Sequence, residues 1–537
     1  MNASPADVGD ADDRPPSAWS PLRSAAFRNL WLAVLASNVG IWMQTVGAQW
    51  LLVDRPGAAT LVSLVQTASM LPVLMLALPA GALADTFDRR RLLIAVQCFL
   101  AAVGALLTVL TALGRMPPAL LLTLTFGLGV GQALTLPAWQ AVIPELVPRS
   151  QIVSASALGS ISVNLARSVG PAVAGVLVAQ AGVPVVFAVN AATFAIFAVT
   201  LLRWRPGRRD HVATPERFTA ALRAGGRYVR HSPVVRRILL RAALFVVPGS
   251  ALWALLPLVA SRRLGLGAGG YGVLLGALGV GAVAGALVLP RIRLALTNNQ
   301  LLLLAGLLYA AVLAVLALVP VPAVAVVALL PAGLAWMTVL SSVNAAMQLF
   351  LPGWVRARGL SVFQMVFAGG QALGAVAWGA LGEVIGLVGA LTVAAVVMAA
   401  GALSVLLWPL RETGSVNRDP AMFWPEPHLV LEAPARDGPV LVTVSYTVRP
   451  ERQAEFVEAM RAVGRSRRRT GAIRWGLFRA GERAHGFVEV YAVPTWEEHL
   501  RQHSGRLTGG DRVVEERARA LAEDDIRVSH LLPAEPR

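Results

Sequence analysis

Long apolar segments separated by short polar connections make up most of the first 410 residues. An α-helix needs about 20 apolar residues to cross about 30 Å of hydrocarbon. The pattern predicts twelve such helices, at approximately 30–53, 60–83, 92–113, 119–142, 152–179, 184–202, 238–260, 269–290, 300–320, 322–345, 358–382 and 387–408. An even number of crossings places both termini on the same side of the membrane.

The pattern changes after residue 410. Residues 411–438 contain four prolines and mixed charge, which indicates a linker. Beyond it, strand-like alternation at 440–448, 473–480, 485–493 and 526–532 is interleaved with helical periodicity at 451–469 and after Thr495. Thr495 followed by Glu498 predicts a capping box. We therefore expect a small α+β ferredoxin-like domain at 439–537.

Composition supports this division into two parts. Apolar residues make up 56% of the chain and charged residues 14%, and the net charge is +17. Residues 1–410 hold 27 arginines and 11 acids, whereas 411–537 hold 20 arginines and 19 acids. The excess charge thus lies in the part that is poorest in charge, which excludes a single soluble domain and argues against a nucleic-acid partner. The chain has no lysine, which excludes a P-loop nucleotide site, and its one cysteine, Cys98, excludes an internal disulfide.

Arginine placement predicts the orientation. If the N-terminus is cytoplasmic, the inner segments carry 22 arginines and the outer loops four. We therefore expect both termini to be cytoplasmic. The predicted organisation is a disordered head (1–23), a six-helix half (24–203), a basic loop (204–237) with a surface helix that suits anionic lipid, and a second six-helix half (238–410). Two parallel six-helix repeats form the major facilitator architecture, an all-α membrane fold.

The loop between the second and third predicted helices resembles the signature motif of the major facilitator superfamily. Gly81, Asp85, Arg89 and Arg90 match it, and Asp88 stands where the family usually has glycine. The resemblance implies a cytoplasmic gate in which Asp85 faces a helix N-terminus of the opposite half. Because aspartate tolerates a left-handed backbone, we expect the turn at Asp88 to survive. The alternative is an ordinary basic cytoplasmic loop.

A second motif lies in the fifth predicted helix. Gly170, Pro171 and Gly175 resemble the antiporter motif of drug exporters, with alanines at two of its glycine positions. The alternative is a proline kink of the kind found in many transmembrane helices.

Longer segments at 27–52, 133–149 and 344–379 resemble bacterial exporters of the transmembrane secretion effector branch. The resemblance implies a secondary active transporter of a bacterial plasma membrane. It would export an amphipathic small molecule, such as a drug, an antibiotic or a siderophore-like compound, by alternating access with proton antiport. An uptake permease and a membrane-tethered enzyme are the alternatives. Neither enzymatic activity nor a cofactor is expected of the chain, and its partners are a small-molecule substrate, a proton or other coupling ion, and lipid.

Polar and aromatic side chains recur at helical spacing within the predicted membrane helices. Because polar groups in lipid are costly, they should face a central substrate cavity or join helices by hydrogen bonds. The residues concerned are Asn38, Trp42, Thr45, Gln49, Gln132, Trp139, Asn164, Arg167, Gln364, Gln371 and Trp378. We expect Arg167 to face the cavity and attract an anionic substrate. No carboxylate falls in mid-membrane, so Asp54 and Glu383 are coupling candidates only by elimination.

The tail resembles domains of the antibiotic-biosynthesis monooxygenase type, whose members pair as dimers; some oxidise polyphenols and others bind haem. The resemblance implies a homodimer formed through this domain. Trp496, His499 and His503 are candidates for a ligand cleft, but solvated histidines on a charged helix are the expectation that we favour.

Overall fold

The computed structural model describes residues 19–205, 218–410, 437–523 and 525–534, and the positions 417, 419, 421–424, 427, 434 and 435. Most of the predicted head, part of the basic loop and most of the linker lie outside the described residues. The backbone of Gly81 and Asp85 is helical, but the burial of Gly81 and the side chain of Asp85 are outside the described part.

Long helices follow the predicted apolar segments closely. The first six are α1 (Ala25–Trp50), α2 (Ala58–Thr86), α3 (Arg89–Ala112), α4 (Pro118–Leu146), α5 (Ile152–Ala181) and α6 (Val183–Arg203). A short amphipathic helix, α7 (Phe218–His231), lies within the predicted basic loop. The second set is α8 (Pro233–Leu258), α9 (Ala268–Ala295), α10 (Asn298–Leu318), α11 (Pro322–Phe350) and α12 (Gly353–Leu407). Among the described residues, eleven helices are long and apolar enough to cross a membrane.

The last of these helices is interrupted. α12 contains 55 residues, which as one straight rod would measure about 80 Å. Gly386 lies within it with φ 76° and ψ 168°, a backbone conformation that residues other than glycine rarely adopt. It divides α12 into segments at 353–385 and 387–407.

Polar contacts between helix ends repeat in the two sets. Arg90 at the start of α3 donates to the carbonyls of Leu201 and Leu202 at the end of α6, at 2.9 and 2.8 Å. In the second set, Asn299 at the start of α10 exchanges two hydrogen bonds with the backbone of Leu410, beyond the end of α12. Corresponding helix ends are thus joined in each set, as two structural repeats would require.

The C-terminal region is a four-stranded antiparallel sheet covered by helices. Its strands are β1 (Val440–Thr447), β2 (Arg474–Arg479), β3 (Gly486–Val493) and β4 (Arg527–Leu531), in the order β2-β3-β1-β4. Its helices are α13 (Gln453–Thr470), α14 (Trp496–Arg501) and α15 (Gly509–Arg519). Alternate residues of β1 are buried against α13, as a sheet with one covered face requires.

One local prediction was wrong in part, and one helix was missed. Thr495 does cap α14, because its hydroxyl accepts a hydrogen bond from the Glu498 backbone amide at 3.2 Å. The Glu498 carboxylate, however, accepts from Arg506 and not from the Thr495 backbone amide, so the capping box is incomplete. The helix α15 was not predicted, because its buried face carries the acids Asp511 and Glu515 beside Ala518 and so does not show as an apolar stripe.

Candidate gate and substrate site

The two sets of helices, α1–α6 and α8–α12, are joined by polar contacts at the end of the bundle remote from the C-terminal domain. Gln49, in the last turn of α1, is central to them. Its Oε1 accepts a hydrogen bond from the Tyr271 hydroxyl of α9 at 2.7 Å, and its Nε2 donates to the Trp253 carbonyl of α8 at 3.2 Å. The ring of Trp50 stacks on that of Tyr271 with centroids 5.9 Å apart. Since Gln49 and Tyr271 are almost completely buried, the contact excludes water from the junction.

A second contact at this end joins α12 to α2. The Glu383 carboxylate accepts hydrogen bonds from the backbone amides of Ala59 at 2.8 Å and Thr60 at 3.4 Å. The N-cap residue of α2, Gly57, has no side chain with which to accept from them. The carboxylate of the opposite half therefore caps α2, and its charge interacts favourably with the helix dipole. Sequence reasoning found Glu383 only by elimination, because its partners are backbone groups more than 300 positions away.

Glycines allow close crossings between the halves near the same end. A Cβ atom built on Gly175 of α5 would lie 2.5 Å from Cα of Gly272 on α9. One built on Gly379 of α12 would lie 1.8 Å from the Ser63 hydroxyl of α2. The hydroxyl of Ser168 donates to the Gly279 carbonyl at 3.1 Å, further along the same α5–α9 contact.

The antiporter-like motif is therefore divided between two contacts. Gly175 faces the opposite half, whereas a Cβ on Gly170 would meet the Cβ of Trp42 on α1 at 2.7 Å, within its own half. The helix continues through Pro171, which is buried.

Most of the remaining residues predicted to line a substrate cavity contact other parts of the protein. Trp42 packs against Trp253 of the opposite half, with ring centroids 5.5 Å apart. Several others bond to neighbouring helices or to their own backbone, or lie in apolar cores. Asn38 donates to Ser162, Thr45 to the Ile41 carbonyl and Trp378 to the Val247 carbonyl, while Trp139 packs edge-on against Phe197. Gln132 and Gln364 are half-buried, and Gln371 is buried with no partner for its Oε1 among the described residues.

Arg167 lies one turn before Gly170 and is half-buried. Its guanidinium donates to the Asn164 side chain, and the Asn164 amide donates to the Ser160 carbonyl at 2.9 Å. Its neighbour Ser168 contacts the opposite half, so Arg167 lies close to the interface between the halves. Among the described residues, this contact is with an amide and supplies no negative charge to the guanidinium.

At the opposite end of the bundle, the arginines of the signature motif stabilise their own half. Arg89 donates to the Ala141 carbonyl at 2.8 Å and to the Glu145 carboxylate at 3.1 Å, and Arg90 binds the end of α6 as described above. The expectation for Asp88 was wrong, since its φ is −59° rather than left-handed. It is the N-cap of α3 and accepts from the Arg91 amide at 2.8 Å.

The C-terminal domain contacts this same end through α7 and the start of α12. The Arg227 guanidinium lies 3.5 Å from the Glu498 carboxylate, and Arg506 stacks over the Trp354 ring at 5.0 Å. Burial alone would raise the pKa of Glu498, but the hydrogen bond and charge of Arg506, with the charge of Arg227, hold that pKa below its ordinary value. Glu498 thus belongs both to the domain and to its contact with the bundle.

The favoured expectation of solvated histidines was wrong for His499. This side chain is completely buried and lies against Trp496 and His530, with ring centroids 5.3 and 4.9 Å away. Burial, reinforced by the neighbouring His503 and His530, lowers the pKa of His499 to about 3. Its ring is therefore neutral at pH 7.

Comparison with solved structures identifies the fold of the helical part. The nucleoside transporter NupG superposes with a TM-score of 0.60 at 13% identity, over 71% of this chain and 99% of the other. A bacterial homologue of the human lysosomal transporter Spinster, in an inward-facing and unoccupied conformation, gives a TM-score of 0.55 at 16% identity, over 72% of this chain and 95% of the other. The helical part thus has the fold of these transporters. With the family match given next, the protein is a multi-pass membrane transporter of the major facilitator superfamily.

Sequence comparison gives the family. The sequence model of the transmembrane secretion effector family matches residues 16–537, and the chain belongs to that family. Similar curated proteins include the staphyloferrin A transporter of Staphylococcus aureus, 30% identical over 30% of this chain and 42% of the relative. The macrolide efflux protein A of Streptococcus pyogenes is 24% identical over 43% of this chain and 58% of the relative. The chain thus spans about half the length of the curated relatives that it matches.

Proposed function

We propose that the protein exports an amphipathic small molecule from a bacterial cell by alternating access, driven by proton antiport. The observation that carries this proposal is the seal at one end of the bundle, formed by Gln49 with Tyr271 and by Glu383 with the first turn of α2. In a transporter that alternates between two states, such a seal must break for substrate to leave. Relatives named for siderophore, macrolide and multidrug transport support the amphipathic class.

Orientation follows from the arginine distribution. With the N-terminus cytoplasmic, the sealed end faces outward and the C-terminal domain lies in the cytoplasm. The break at Gly386 then makes α12 two crossings, so that twelve helices span the membrane and both termini share one side. We infer that the described state is inward-facing, because its outer end is sealed.

Proton coupling would act at Glu383. Its side chain is exposed at the outer seal, and protonation would remove the charge that interacts with the dipole of α2. Proton uptake from outside would then favour the outward-open state, and release of that proton toward the cytoplasm, as antiport requires, would favour closure. Asp54, a second exposed carboxylate at this end, lies beyond α1 without a described hydrogen bond in the structure and supplies a comparison.

We infer a regulatory or dimerising role for the small domain at the C-terminus. Its strand order and its helices are those of a ferredoxin-like module, and we infer that fold for 437–534. The contact of Glu498 with α7 places it beside the connection between the two halves.

Direction of transport is the decisive test. The protein would be produced in an exporter-deficient strain, and everted membrane vesicles would be supplied with siderophores and macrolides under an imposed proton gradient. The proposal predicts accumulation inside everted vesicles that an uncoupler abolishes. Accumulation only in right-side-out vesicles would show an uptake permease. Conversion of the compound without flux would show a membrane-tethered enzyme.

A further inference from the structure

Three histidines of the C-terminal domain are brought together from separate elements. His499 lies in α14, His503 in the π-helical turn that follows it, and His530 in β4. One ring nitrogen of each lies within 4.8 Å of the others. The register of the sheet, in which His530 pairs with Val442, holds the third ring beside the first two.

The separation within the pair on the helix has the size that a metal ion requires. Nε2 of His499 lies 3.3 Å from Nε2 of His503. Two nitrogens bound to zinc at about 2.0–2.1 Å in a tetrahedron are about 3.3–3.4 Å apart. A hydrogen bond between two histidines has a similar length. The presence of a third histidine is therefore what distinguishes a metal site from a hydrogen-bonded pair.

Hydrogen bonds behind His499 fix its tautomer. The Thr470 hydroxyl donates to the Ser466 carbonyl at 3.0 Å, so its oxygen accepts from Nε2 of Gln502 at 3.3 Å. Oε1 of Gln502 therefore faces Nδ1 of His499, 3.4 Å away, and that nitrogen must carry the proton. The lone pair of Nε2 is directed toward His503. Metal-binding histidines are oriented in this way by a second hydrogen bond.

The surroundings are compatible with a cation. Trp424 packs edge-on against His503 and Trp496 against His530, with ring centroids 4.8 and 5.8 Å apart. The nearby guanidinium of Arg467 is compensated by Glu489 at 3.0 Å and Glu515 at 2.8 Å. His503 and His530 are half-buried, which leaves a route for an ion from solvent.

We propose that His499, His503 and His530 form a site for one divalent transition-metal ion of the zinc class. Three neutral imidazoles suit zinc, copper, nickel or iron rather than magnesium or calcium. A fourth coordination position is left for water or for a donor atom of a small ligand. The site lies within one turn of Glu498, which contacts α7.

Metal titration of the full-length protein tests the site. Tag-free protein in detergent, stripped with a chelator, would be titrated with Co²⁺, and bound Co²⁺ would then be displaced with Zn²⁺. We expect one Co²⁺ per chain, with the strong visible absorption of a tetrahedral or five-coordinate ion. His503→Ala and His530→Ala are preferred to substitution of the buried His499, and each should weaken binding by more than about tenfold.

Two further variants make the outcome specific. His485 is an exposed histidine of the same domain that bonds to Gln453, and His485→Ala should bind as wild type does. Gln502→Leu should weaken binding by about tenfold while keeping the stoichiometry, because it removes only the orienting bond. Absence of bound Co²⁺ in the wild type would overturn the proposal in favour of a hydrogen-bonded pair. An affinity for Co²⁺ in His503→Ala and His530→Ala equal to that of the wild type would overturn it as well.

Discussion

The carboxylate of Glu383 accepts a hydrogen bond from the backbone amide of Ala59 at 2.8 Å, and this joins the C-terminal half of the bundle to the first turn of α2. A charged cap supplied across the interface can be broken and reformed without unfolding either helix. The cap therefore stabilises the closed state, and breaking it to reach the open state costs little free energy.

Neutralising this cap should favour the outward-open state. A carboxylate at a helix N-terminus contributes about 0.3–1 kcal/mol, so Glu383→Gln should shift the ratio of outward-open to outward-closed molecules about two- to fivefold. Spin labels at Pro56 and Gly267, both exposed at this end, would report the distance in a Cys98→Ala background. Asp54→Asn is the matched control and should leave the distribution unchanged. An unchanged distribution in Glu383→Gln would remove Glu383 from the seal.

Adding a methyl group at the crossing of α5 and α9 should also favour the outward-open state. Gly175→Ala places a Cβ 2.5 Å from a backbone atom of Gly272, so the helices must separate. We expect the outer end to open and transport to fall about tenfold or more, since overpacking costs about 1–3 kcal/mol. Gly159→Ala is the control on the same helix, because nothing lies within 4 Å of its Cβ position. Similar transport rates in the two variants would contradict the role given to Gly175.

Substitution of Arg167 should separate substrates by charge. Arg167→Lys should retain folding but weaken the binding of anionic substrates that need two hydrogen-bond donors. Arg167→Ala should abolish the export of these substrates and leave the export of neutral ones unchanged. Export of matched anionic and neutral compounds by protein in liposomes measures this. Equal apparent affinity for an anionic substrate in Arg167→Ala would leave only the structural contact with Asn164.

The docking of the C-terminal domain should depend on Arg227. Arg227→Ala removes its contact with Glu498 but leaves the internal pair of Glu498 and Arg506 intact. A partly buried ion pair is worth up to about 1 kcal/mol, so the domain should detach about fivefold more often. Hydrogen exchange in α7 and α13 would detect this, with the exposed Arg230→Ala on the same helix as control. Identical exchange in both variants would show that other contacts hold the domain.

Acid should destabilise the C-terminal domain. Burial opposes ionisation of Glu515 and Asp511, but Arg467 and Arg469 hold the pKa of each below its ordinary value. Such carboxylates stabilise the fold at neutral pH, and that contribution is lost as the pH falls through the ordinary carboxyl range toward the lowered values. Near-ultraviolet circular dichroism of the full-length protein should show tertiary structure lost below about pH 4. A signal unchanged to pH 2 would contradict these ion pairs.

The helices of the bundle were predictable from the sequence because lipid requires about 20 apolar residues per crossing. The break at Gly386 was also visible, as a fall in hydrophobicity around Glu383. Contacts of the seal were not, because Gln49, Tyr271 and Glu383 meet across the two halves through partners that sequence spacing does not reveal. His499 was misjudged for the same reason, since the strand that buries it contributes His530 from the end of the chain.

The most direct test of the account is flux in everted vesicles that contain wild-type protein or Glu383→Gln, with Asp54→Asn as control. The account predicts proton-driven accumulation of a siderophore or macrolide by wild type and Asp54→Asn, and loss of the response to the proton gradient in Glu383→Gln. Accumulation by Glu383→Gln that follows the gradient as in the wild type, or wild-type transport that needs no gradient, would contradict it.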